Sequence, residues 1–405
     1  RCMKEEGASA RKPRRRHCLV RTTNQFARRS STVGPNSPGT LQQLLQLGWT
    51  PLPRPDLKMV QRPIGPVAGF GASNFPLAFS VAGGDTASAF AAGCCVVVKG
   101  HPAHPGTSEL VAGAITEAVA KAGLPAGVFN LVSGHGREIG EVLSNHPDVD
   151  MVSFTGSTGA GVRVSELAAP SVKRVTLELG GKSANIILDD ADIAKAASAS
   201  IHACFGNSGQ ECSALTRLLV PESKKQEIVE VITAKMEKYS VGNPMDESKR
   251  CGPMVSGRQQ ESVSSFIAAG IEEGATLLVG GLGMPDGLDK GYFVRPTVFS
   301  DVTPEMTIFR EEIFGPVLSI TTYSTDEEAV ELANDSEYGL SGGVWSGDEE
   351  RALRVARQMR TGQVSINGGP FNISAPFGGY KLSGNGRELG VHGLEEFLEV
   401  KAIQR

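Results

Sequence analysis

Residues 149–181 read VDMVSFTGSTGAGVRVSELAAPSVKRVTLELGG, and this stretch decides the fold. Apolar, β-rich runs at 149–154 and 172–178 flank a helical pattern at 158–167. Strand, helix and strand in this order predict two parallel strands that are joined by a right-handed crossover. The Gly-rich turn at 154–161 ends the first strand and opens the helix. The stretch therefore predicts one unit of a parallel, doubly wound sheet.

The same alternation extends in both directions along the chain. The first unit has predicted strands at 66–72, 94–98, 127–132, 149–154 and 172–178 and helices at 76–91, 107–122, 137–144 and 158–167. The second unit has predicted strands at 184–188, 216–220, 292–300 and 316–323 and helices at 223–238, 257–273, 325–335 and 348–359. Thr107 and Gly123 suit the two caps of the second helix. The predicted fold class is α/β, with one doubly wound domain at 56–180, a second α/β domain at 181–385 and a C-terminal segment at 386–405.

Composition and charge exclude several classes of protein. The 405 residues are 40% hydrophobic and 21% charged, as in ordinary globular proteins. A formal net charge of -4 gives no overall field that would hold nucleic acid or an anionic membrane. No apolar run is long enough to cross a bilayer. The seven cysteines lack the C-x-x-C and His spacing of a zinc site, so we expect reduced thiols, no metal and a cytoplasmic location.

The first 55 residues differ from the rest of the chain. Residues 7–55 contain nine Lys or Arg and no Asp or Glu, including the run KPRRR at 12–16. Such a basic leader is typical of a disordered segment. An Arg-rich, acid-poor segment that contains Ser also resembles an organellar transit peptide, and a basic nucleic-acid-binding tail is a third interpretation.

Cys212 lies in FGNSGQEC, a small, polar turn that contains glycines. A nucleophilic cysteine needs room for approach and backbone N–H groups that favour its thiolate, and this turn could supply both. The alternative is a small core residue, which is the commonest role of a free cysteine.

Glu178 interrupts the apolar strand of VTLELGGKS, and two glycines follow after Leu179. A carboxyl group at the end of a strand, with a pKa raised by burial, suits a general base. The alternative is a glutamate on the wet face of a half-buried strand.

Two further turns follow predicted strands. The N–H groups of FTGSTGAG at 154–161 could face a phosphate at a helix N-terminus, although such turns are common in α/β proteins. In FGASNFP, at 70–76, the amide of Asn74 could donate to an oxyanion, whereas a simple turn asparagine is the competing interpretation.

Taken together, these segments resemble one family. VVVKGHPAHP, FTGS, LELGGKS, FGNSGQEC, EEIFGPV and PFGGYKLSGNGRE occur in the order typical of the aldehyde dehydrogenase superfamily, from about residue 60 to residue 405. The resemblance implies a nucleotide-binding domain followed by a catalytic domain. It also implies the oxidation of an aldehyde to a carboxylic acid through a thiohemiacetal and a thioester.

The resemblance assigns roles to single residues. Cys212 would be the nucleophile, Glu178 the base that activates the deacylating water, and Asn74 would form the oxyanion hole with the Cys212 N–H. The remaining roles concern an NAD or NADP cofactor: Lys99 for the adenosine ribose, Gly156 and Ser157 for the pyrophosphate, Glu312 for the nicotinamide ribose and Phe314 for the wall of the nicotinamide ring.

The sequence departs from the family pattern in three places. Family members carry helices upstream of FGASNFP that cover the cofactor sheet, and here the basic leader stands in their place. The N-terminal third resembles the ketoglutarate semialdehyde and fatty aldehyde dehydrogenase branch, and the remainder a general branch. Pro102 stands where the family often has a glutamate that repels a 2′-phosphate. With Lys99, His101 and His104 close by, NADP should be tolerated and even preferred.

Several alternatives stay open. One is an acyl-transferring or acyl-phosphate-reducing relative, against which Glu178 argues, and another is a non-catalytic nucleotide-binding protein. The aldehyde is not specified by the sequence, although Phe205 and Phe371 are candidates for its pocket. By analogy with the family we expect a homo-oligomer, with LEEFLEVKAIQR as a C-terminal arm.

Overall fold

The computed structural model describes residues 57–134 and 136–404. The basic leader lies outside the described residues. Val60–Lys401 forms one compact unit, and it contains the whole candidate site. Within this unit each of the two predicted α/β domains has its own sheet.

The first sheet has six strands in the order β14-β6-β5-β2-β3-β4. Its strands are β2 Val67–Phe70, β3 Val96–Lys99, β4 Phe129–Val132, β5 Met151–Thr155, β6 Arg174–Glu178 and β14 Gly384–Asn385. All neighbours pair in parallel except β14, which is antiparallel to β6. The chain winds outward from β2 through β3 to β4, and then returns to the other side of β2 through β5. The carboxyl ends of β2 and β5 therefore form a topological switch point, where α/β sheets bind ligands.

Four helices connect these strands: α1 Gly84–Ala92, α2 Pro105–Lys121, α3 Gly136–Asn145 and α4 Thr158–Ala168. The predicted helix at 76–91 was wrong at its start, because residues 76–83 form turns and bends that end at two glycines. The second predicted helix begins before Thr107, since Pro105 occupies its first turn, where a missing N–H costs nothing. Gly123 follows its end with φ +67°, the left-handed conformation that glycine favours.

The second sheet has seven strands in the order β13-β12-β7-β8-β11-β10-β9. They are β7 Ala184–Ile187, β8 Arg217–Pro221, β9 Thr276–Val279, β10 Thr297–Ser300, β11 Val317–Tyr323, β12 Gly342–Trp345 and β13 Ser365–Ile366. Only β9 is antiparallel to its neighbour. Two clusters of buried apolar side chains, around Phe299 and around Phe205, form its core.

The helices of the second domain are α5 Ile193–Phe205, α6 Lys225–Met236, α7 Gly257–Glu272, α8 Thr307–Arg310, α9 Asp326–Asn334 and α10 Glu349–Ala356, and α11 Gly390–Glu395 follows. The sequence analysis missed α5, although the Asp192 carboxylate caps it by accepting from the Lys195 N–H at 3.1 Å. It also missed β9, β12 and β13, which are two to four residues long.

Strands β1 Leu57–Pro63 and β15 Leu398–Gln404 form a separate two-stranded sheet. None of the helices at 57–134 and 136–404 has both the length and the apolar character needed to span a bilayer. In the same residues, no group of three or more His, Cys, Asp or Glu side chains is arranged to hold a metal ion. The cytoplasmic location stays a prediction.

Candidate active site

A cavity of about 840 Å³ opens at the switch point of the first sheet and extends to the second domain. It is lined by residues from the ends of β2, β3, β5 and β6 and from the turn before β8. All eight residues to which the resemblance assigns a catalytic or cofactor-binding role lie on its walls: Asn74, Lys99, Gly156, Ser157, Glu178, Cys212, Glu312 and Phe314. Positions 240 residues apart in the chain are thus brought to one cavity.

The turn at 207–212, here called the cysteine turn, presents Cys212 to the cavity. Asn207, Ser208 and Gly209 adopt positive φ angles of +48°, +58° and +71°. Non-glycine residues rarely adopt this conformation, and they keep it only where their surroundings hold them. The turn therefore depends on its neighbours for its shape.

Asn74 lies against the cysteine turn. Its side-chain Nδ2 donates to the carbonyl oxygen of Gln210 at 3.0 Å, and Asn207 Nδ2 donates to the Asn74 carbonyl oxygen at 3.1 Å. The Asn74 amide carries a second N–H, and the residue lines the cavity. This placement supports a donor role toward an oxygen bound beside Cys212.

Glycines bring the end of β6 close to the cysteine turn. A Cβ atom built on Gly181 would lie 2.3 Å from the Cys212 carbonyl oxygen, which only glycine permits. A Cβ atom on Gly378 would similarly lie 2.6 Å from Glu178 Oε1. Gly181 therefore allows close packing against the cysteine turn, and Gly378 allows close packing against the proposed base.

Glu178 is buried, and neither carboxylate oxygen has a hydrogen-bond partner among the described residues. The interpretation of a wet-face glutamate is therefore wrong. Burial raises the pKa of Glu178 well above its ordinary value, the nearby Asp85 raises it further, and Arg387 opposes the rise. An unpaired carboxyl group with a raised pKa is equipped to accept a proton near neutral pH.

Glu178 belongs to a cluster of three acidic side chains, here called the acid cluster, with Asp85 and Glu388. Burial raises the pKa of Glu388, and Asp85 and Glu178 add to the effect. The pKa of Asp85 is also raised by burial, against a hydrogen bond from Ser153 that lowers it. The sequence analysis did not find this cluster, because its members are distant in the chain.

Cys212 is only half buried, but its thiol is enclosed. Burial raises the pKa of the thiol, and the carboxyl groups of Glu178, Glu312, Glu211 and Glu388 raise it further. The expected preference for the thiolate is therefore wrong for this structure without a cofactor. Burial and the acidic neighbours both disfavour the negatively charged thiolate, because a charge is poorly solvated and like charges repel strongly where water is excluded.

The N-terminus of α4 opens into the cavity through Ser157, Gly159 and Ala160. The Gly156 N–H already donates to the Glu178 carbonyl oxygen at 3.0 Å, so Gly156 contributes space rather than a donor. A Cβ atom there would lie 2.8 Å from the Phe154 ring. Ser157 and the first turn of α4 supply the N–H groups that can face a phosphate.

Lys99 lies at the end of β3, and burial lowers its pKa. Beside it, burial and the charge of Lys99 lower the pKa of His101 to about 4, so His101 is neutral at pH 7. His104 is not a solvated loop residue, because its Nε2 bonds to the Ala72 carbonyl oxygen at 2.8 Å. The positive charge at this end of the cavity therefore comes from Lys99, Arg137 and Arg163.

Glu312 and Phe314 face the cavity from the segment EEIFGPV. Glu312 Oε1 accepts from the Gly181 N–H at 2.9 Å, and burial raises the pKa of this carboxyl group to about 7. Phe314 has a φ of +54°, an unusual conformation for a bulky residue.

Comparisons with known proteins give the family. The sequence profile of the aldehyde dehydrogenase family matches residues 41–403. The chain belongs to the aldehyde dehydrogenase family. Its members are NAD(P)-dependent oxidoreductases, and this confirms the expected fold and enzyme class.

The family is also evident in single relatives. The chain is 51% identical over 346 residues to a 3-succinoylsemialdehyde-pyridine dehydrogenase of a Pseudomonas species, covering 85% of this chain and 71% of that protein. It is 50% identical over 317 residues to a putative aldehyde dehydrogenase of Staphylococcus saprophyticus, covering 78% of this chain and 66% of that protein.

Two solved structures resemble the aldehyde dehydrogenase fold of this chain. A mutant of aldehyde dehydrogenase C from Pseudomonas syringae, complexed with NAD+ and octanal, has a TM-score of 0.81 and 47% identity, covering 86% of this chain and 70% of that one. The Mycobacterium tuberculosis aldehyde dehydrogenase complexed with NAD+ has a TM-score of 0.81 and 45% identity, covering 86% and 71%. The chain thus spans about two thirds of the length of its relatives.

Two residues suggested for the aldehyde pocket are not on the walls of the cavity. Phe205 is fully buried in the core of the second domain, with its ring 5.6 Å from that of Tyr239. Phe371 is largely exposed, with its ring 6.0 Å from that of Phe377. Conversely, Arg258, Gln259 and Ser262 of α7 line the cavity, and the sequence analysis missed them because nothing in their local pattern marks them.

Proposed function

We propose that this aldehyde dehydrogenase oxidises an aldehyde to a carboxylic acid, with Cys212 as the nucleophile and Glu178 as the base that activates the hydrolytic water. The observation that carries the proposal is the unpaired, buried carboxyl group of Glu178 in the cavity that Cys212 also lines. An enzyme that transfers its acyl group to another acceptor has no use for a water-activating base there.

The walls of the cavity fit a dinucleotide cofactor. The α4 N-terminus with Ser157 would hold the pyrophosphate, Lys99 the adenosine ribose, and Glu312 and Phe314 the nicotinamide half. The relatives from P. syringae and M. tuberculosis, which bind NAD+, support this assignment. When bound, the oxidised cofactor supplies the hydride acceptor.

The proposed reaction has two steps, the first at Cys212 and the second assisted by Glu178. The Cys212 thiolate attacks the aldehyde carbon, and the Asn74 amide with the Cys212 N–H stabilises the oxyanion of the thiohemiacetal. Loss of hydride leaves a thioester on Cys212. Glu178 accepts a proton from water as the water attacks the thioester, which releases the carboxylic acid and the free thiol.

Rapid mixing tests this division of roles. Cys212→Ala should abolish both reduced cofactor and any covalent adduct, whereas Glu178→Gln should give a single burst of absorbance at 340 nm while the thioester persists. In enzymes generally, loss of a general base lowers the rate of the step that the base catalyses by roughly a hundredfold to ten-thousandfold. If Glu178 also deprotonates Cys212, the burst slows but keeps its amplitude of one per site.

Mass spectrometry of the quenched protein locates the adduct. Turnover of Glu178→Gln at the parental rate, or an adduct on a cysteine other than Cys212, would refute the mechanism. A product that forms only with added coenzyme A or phosphate would favour the acyl-transferring alternative. No reduced cofactor with any aldehyde of a broad panel would favour a non-catalytic nucleotide-binding protein.

We propose further that NADP is used at least as well as NAD. Support comes from Lys99 on the cavity wall and from Pro102 in the turn after β3, which itself carries no carboxylate that would oppose a 2′-phosphate. His101 adds no charge, because its lowered pKa keeps it neutral.

We also propose a homo-oligomer that is built through the C-terminal segment at 386–405. Support comes from β15, whose Val400 side chain is 63% exposed. Analytical ultracentrifugation of the full chain should show an assembly that Val400→Asp weakens, and a monomer at micromolar concentration would contradict the proposal.

A further inference from the structure

Two segments with strained backbone angles line the part of the cavity that holds Cys212. One is the cysteine turn, and the other is the segment at 311–316, here called the wall loop, with Phe314 at φ +54°. Residues other than glycine keep such conformations only where the surroundings impose them. Their surroundings therefore determine where Cys212 and the Phe314 ring lie.

The two segments touch through their backbones. A Cβ atom on Gly209 of the cysteine turn would lie 2.2 Å from the Gly315 carbonyl oxygen of the wall loop. A Cβ atom on Gly315 would in turn lie 2.5 Å from Val263 Cγ2 on α7. A displacement of either backbone would therefore force the other backbone to move.

A single stretch, residues 252–259, bonds to both segments. On the side of the cysteine turn, the Gly252 N–H donates to Ser208 Oγ at 2.8 Å, and the Val255 N–H donates to Gln210 Oε1 at 2.8 Å. The stretch then enters α7, where Ser256 Oγ accepts from the Gln259 N–H at 3.2 Å and caps the helix.

Gln259 makes the contact with the wall loop. Its Nε2 donates to the carbonyl oxygen of Ile313 at 3.2 Å and to that of Phe314 at 3.0 Å. The side chain is half buried and lines the cavity. It is thus bonded to the backbone on both sides of the strained φ angle of Phe314.

We propose that Gln259 is a positioning residue, which holds Phe314 at a fixed distance from Cys212 and thereby sets the geometry of hydride transfer. The inference rests on the proposed function of Cys212 and Phe314. Without the two donated bonds, Phe314 relaxes toward a common conformation, and the wall of the nicotinamide half moves. Misplacement of reacting groups by about 1 Å can cost on the order of a hundredfold in rate.

The adenosine half of the cofactor should not be affected. Its proposed contacts, Lys99 at the end of β3 and Ser157 at the N-cap of α4, belong to the first domain and not to α7. Binding of ADP therefore serves as a probe that a general loss of structure would change and a local movement of Phe314 would not.

Gln259→Glu and Gln260→Glu form a matched pair for the test. Gln260 is the next residue on α7, is also half buried, and donates through Nε2 to the Phe293 carbonyl oxygen at 2.8 Å, outside the cavity. Both changes replace an amide donor by a carboxylate that can only accept. Gln259→Met provides a third variant, without charge and without a donor.

The measurements are the rate of the 340 nm burst and the Kd of ADP. For Gln259→Glu and Gln259→Met we expect the burst rate to fall about ten- to a hundredfold with the Kd of ADP within twofold of the parent. The rate of Gln260→Glu should stay within twofold. As the pH is lowered, the ratio of the Gln259→Glu rate to the parental rate should rise, because the protonated carboxyl regains an O–H donor, whereas the Gln259→Met ratio should stay constant.

An unchanged burst rate in both Gln259 variants would overturn the proposal. So would an equal loss of ADP binding and burst rate, or the same pH response in Gln259→Met. The proposed function fails differently: the parent itself would then show no burst and no adduct on Cys212.

Discussion

At the scale of single residues, the chemistry of the site depends on carboxyl groups that the fold has placed in contact. Glu178, Asp85 and Glu388 all have raised pKa values, with burial as the largest cause. The pKa of the Cys212 thiol is raised as well, by burial and by carboxyl groups that include Glu178 and Glu388. A cationic nicotinamide ring beside Cys212 would oppose this effect.

The acid cluster predicts how stability depends on pH. A carboxyl group whose pKa is higher in the folded state contributes stability below its unfolded pKa and loses it as the pH rises through its folded pKa. The free energy of unfolding should therefore fall as the pH rises from about 4. Glu388→Gln, which removes one charge from the cluster, should raise Tm at pH 8 by about 1 °C, the shift expected of about 1 kcal/mol in a chain of this length.

Calorimetry at pH 5 and pH 8 measures this difference. The gain should shrink toward pH 5, since the raised pKa of Glu388 favours its neutral form as the pH falls. Glu399→Gln, which changes an exposed carboxylate on β15, is the control and should shift Tm equally at both values. A lower Tm for Glu388→Gln at pH 8 would contradict the prediction, because it would mean that the charged Glu388 carboxylate stabilises the folded chain.

Pro102 predicts the choice of cofactor. Pro102→Glu should raise the KM for NADP by on the order of ten- to a hundredfold, because a carboxylate close to the 2′-phosphate costs about 1–4 kcal/mol. The kcat/KM for NAD, measured at 340 nm with the same aldehyde, should change less than threefold. An equal effect on both cofactors would contradict the placement of the 2′-phosphate beside this turn.

At the scale of elements, glycine residues allow the end of β6 to lie close to the cysteine turn. Gly181→Ala should lower kcat by at least about tenfold, because its Cβ would lie 2.3 Å from the Cys212 carbonyl oxygen and displace the nucleophile. The burst rate at 340 nm measures this effect directly.

Gly113→Ala is the matched control on α2. A Cβ atom there meets nothing within 4 Å, so the change should leave kcat unaltered. It should stabilise the protein by about 0.5–1 kcal/mol through helix propensity, measured by urea unfolding. Parental kcat in Gly181→Ala would show that the cysteine turn can move without loss of alignment.

At the scale of the whole molecule, the site draws on both sheets, and among the residues that the structure describes those that line the cavity lie between Phe70 and Phe314. We therefore predict that removal of residues 1–55 leaves kcat and KM within twofold of the parent values. Steady-state assays on the purified shorter chain, with circular dichroism to check its fold, measure this. An unfolded or aggregated product would show that the leader contributes to the core.

The sequence by itself determined the α/β alternation, since buried parallel strands and amphipathic helices differ in the spacing of their apolar residues. It also identified the eight residues with assigned roles among those that line the cavity, because the family resemblance rests on short motifs at strand ends. It misplaced the start of α1, where Gly83 and Gly84 interrupt an apolar run. It missed α5, whose buried residues follow helical spacing but are mostly small, so their apolar signal is weak.

Only the tertiary structure decided which charges meet. Asp85, Glu178 and Glu388 come from three distant segments, and the pKa values of Glu178 and Cys212 follow from that meeting rather than from any local pattern. The bonds from Gln259 to the wall loop likewise join residues 54 and 55 positions apart. Electrostatic and hydrogen-bond energies depend on distance and burial, which are properties of the folded chain and not of its motifs.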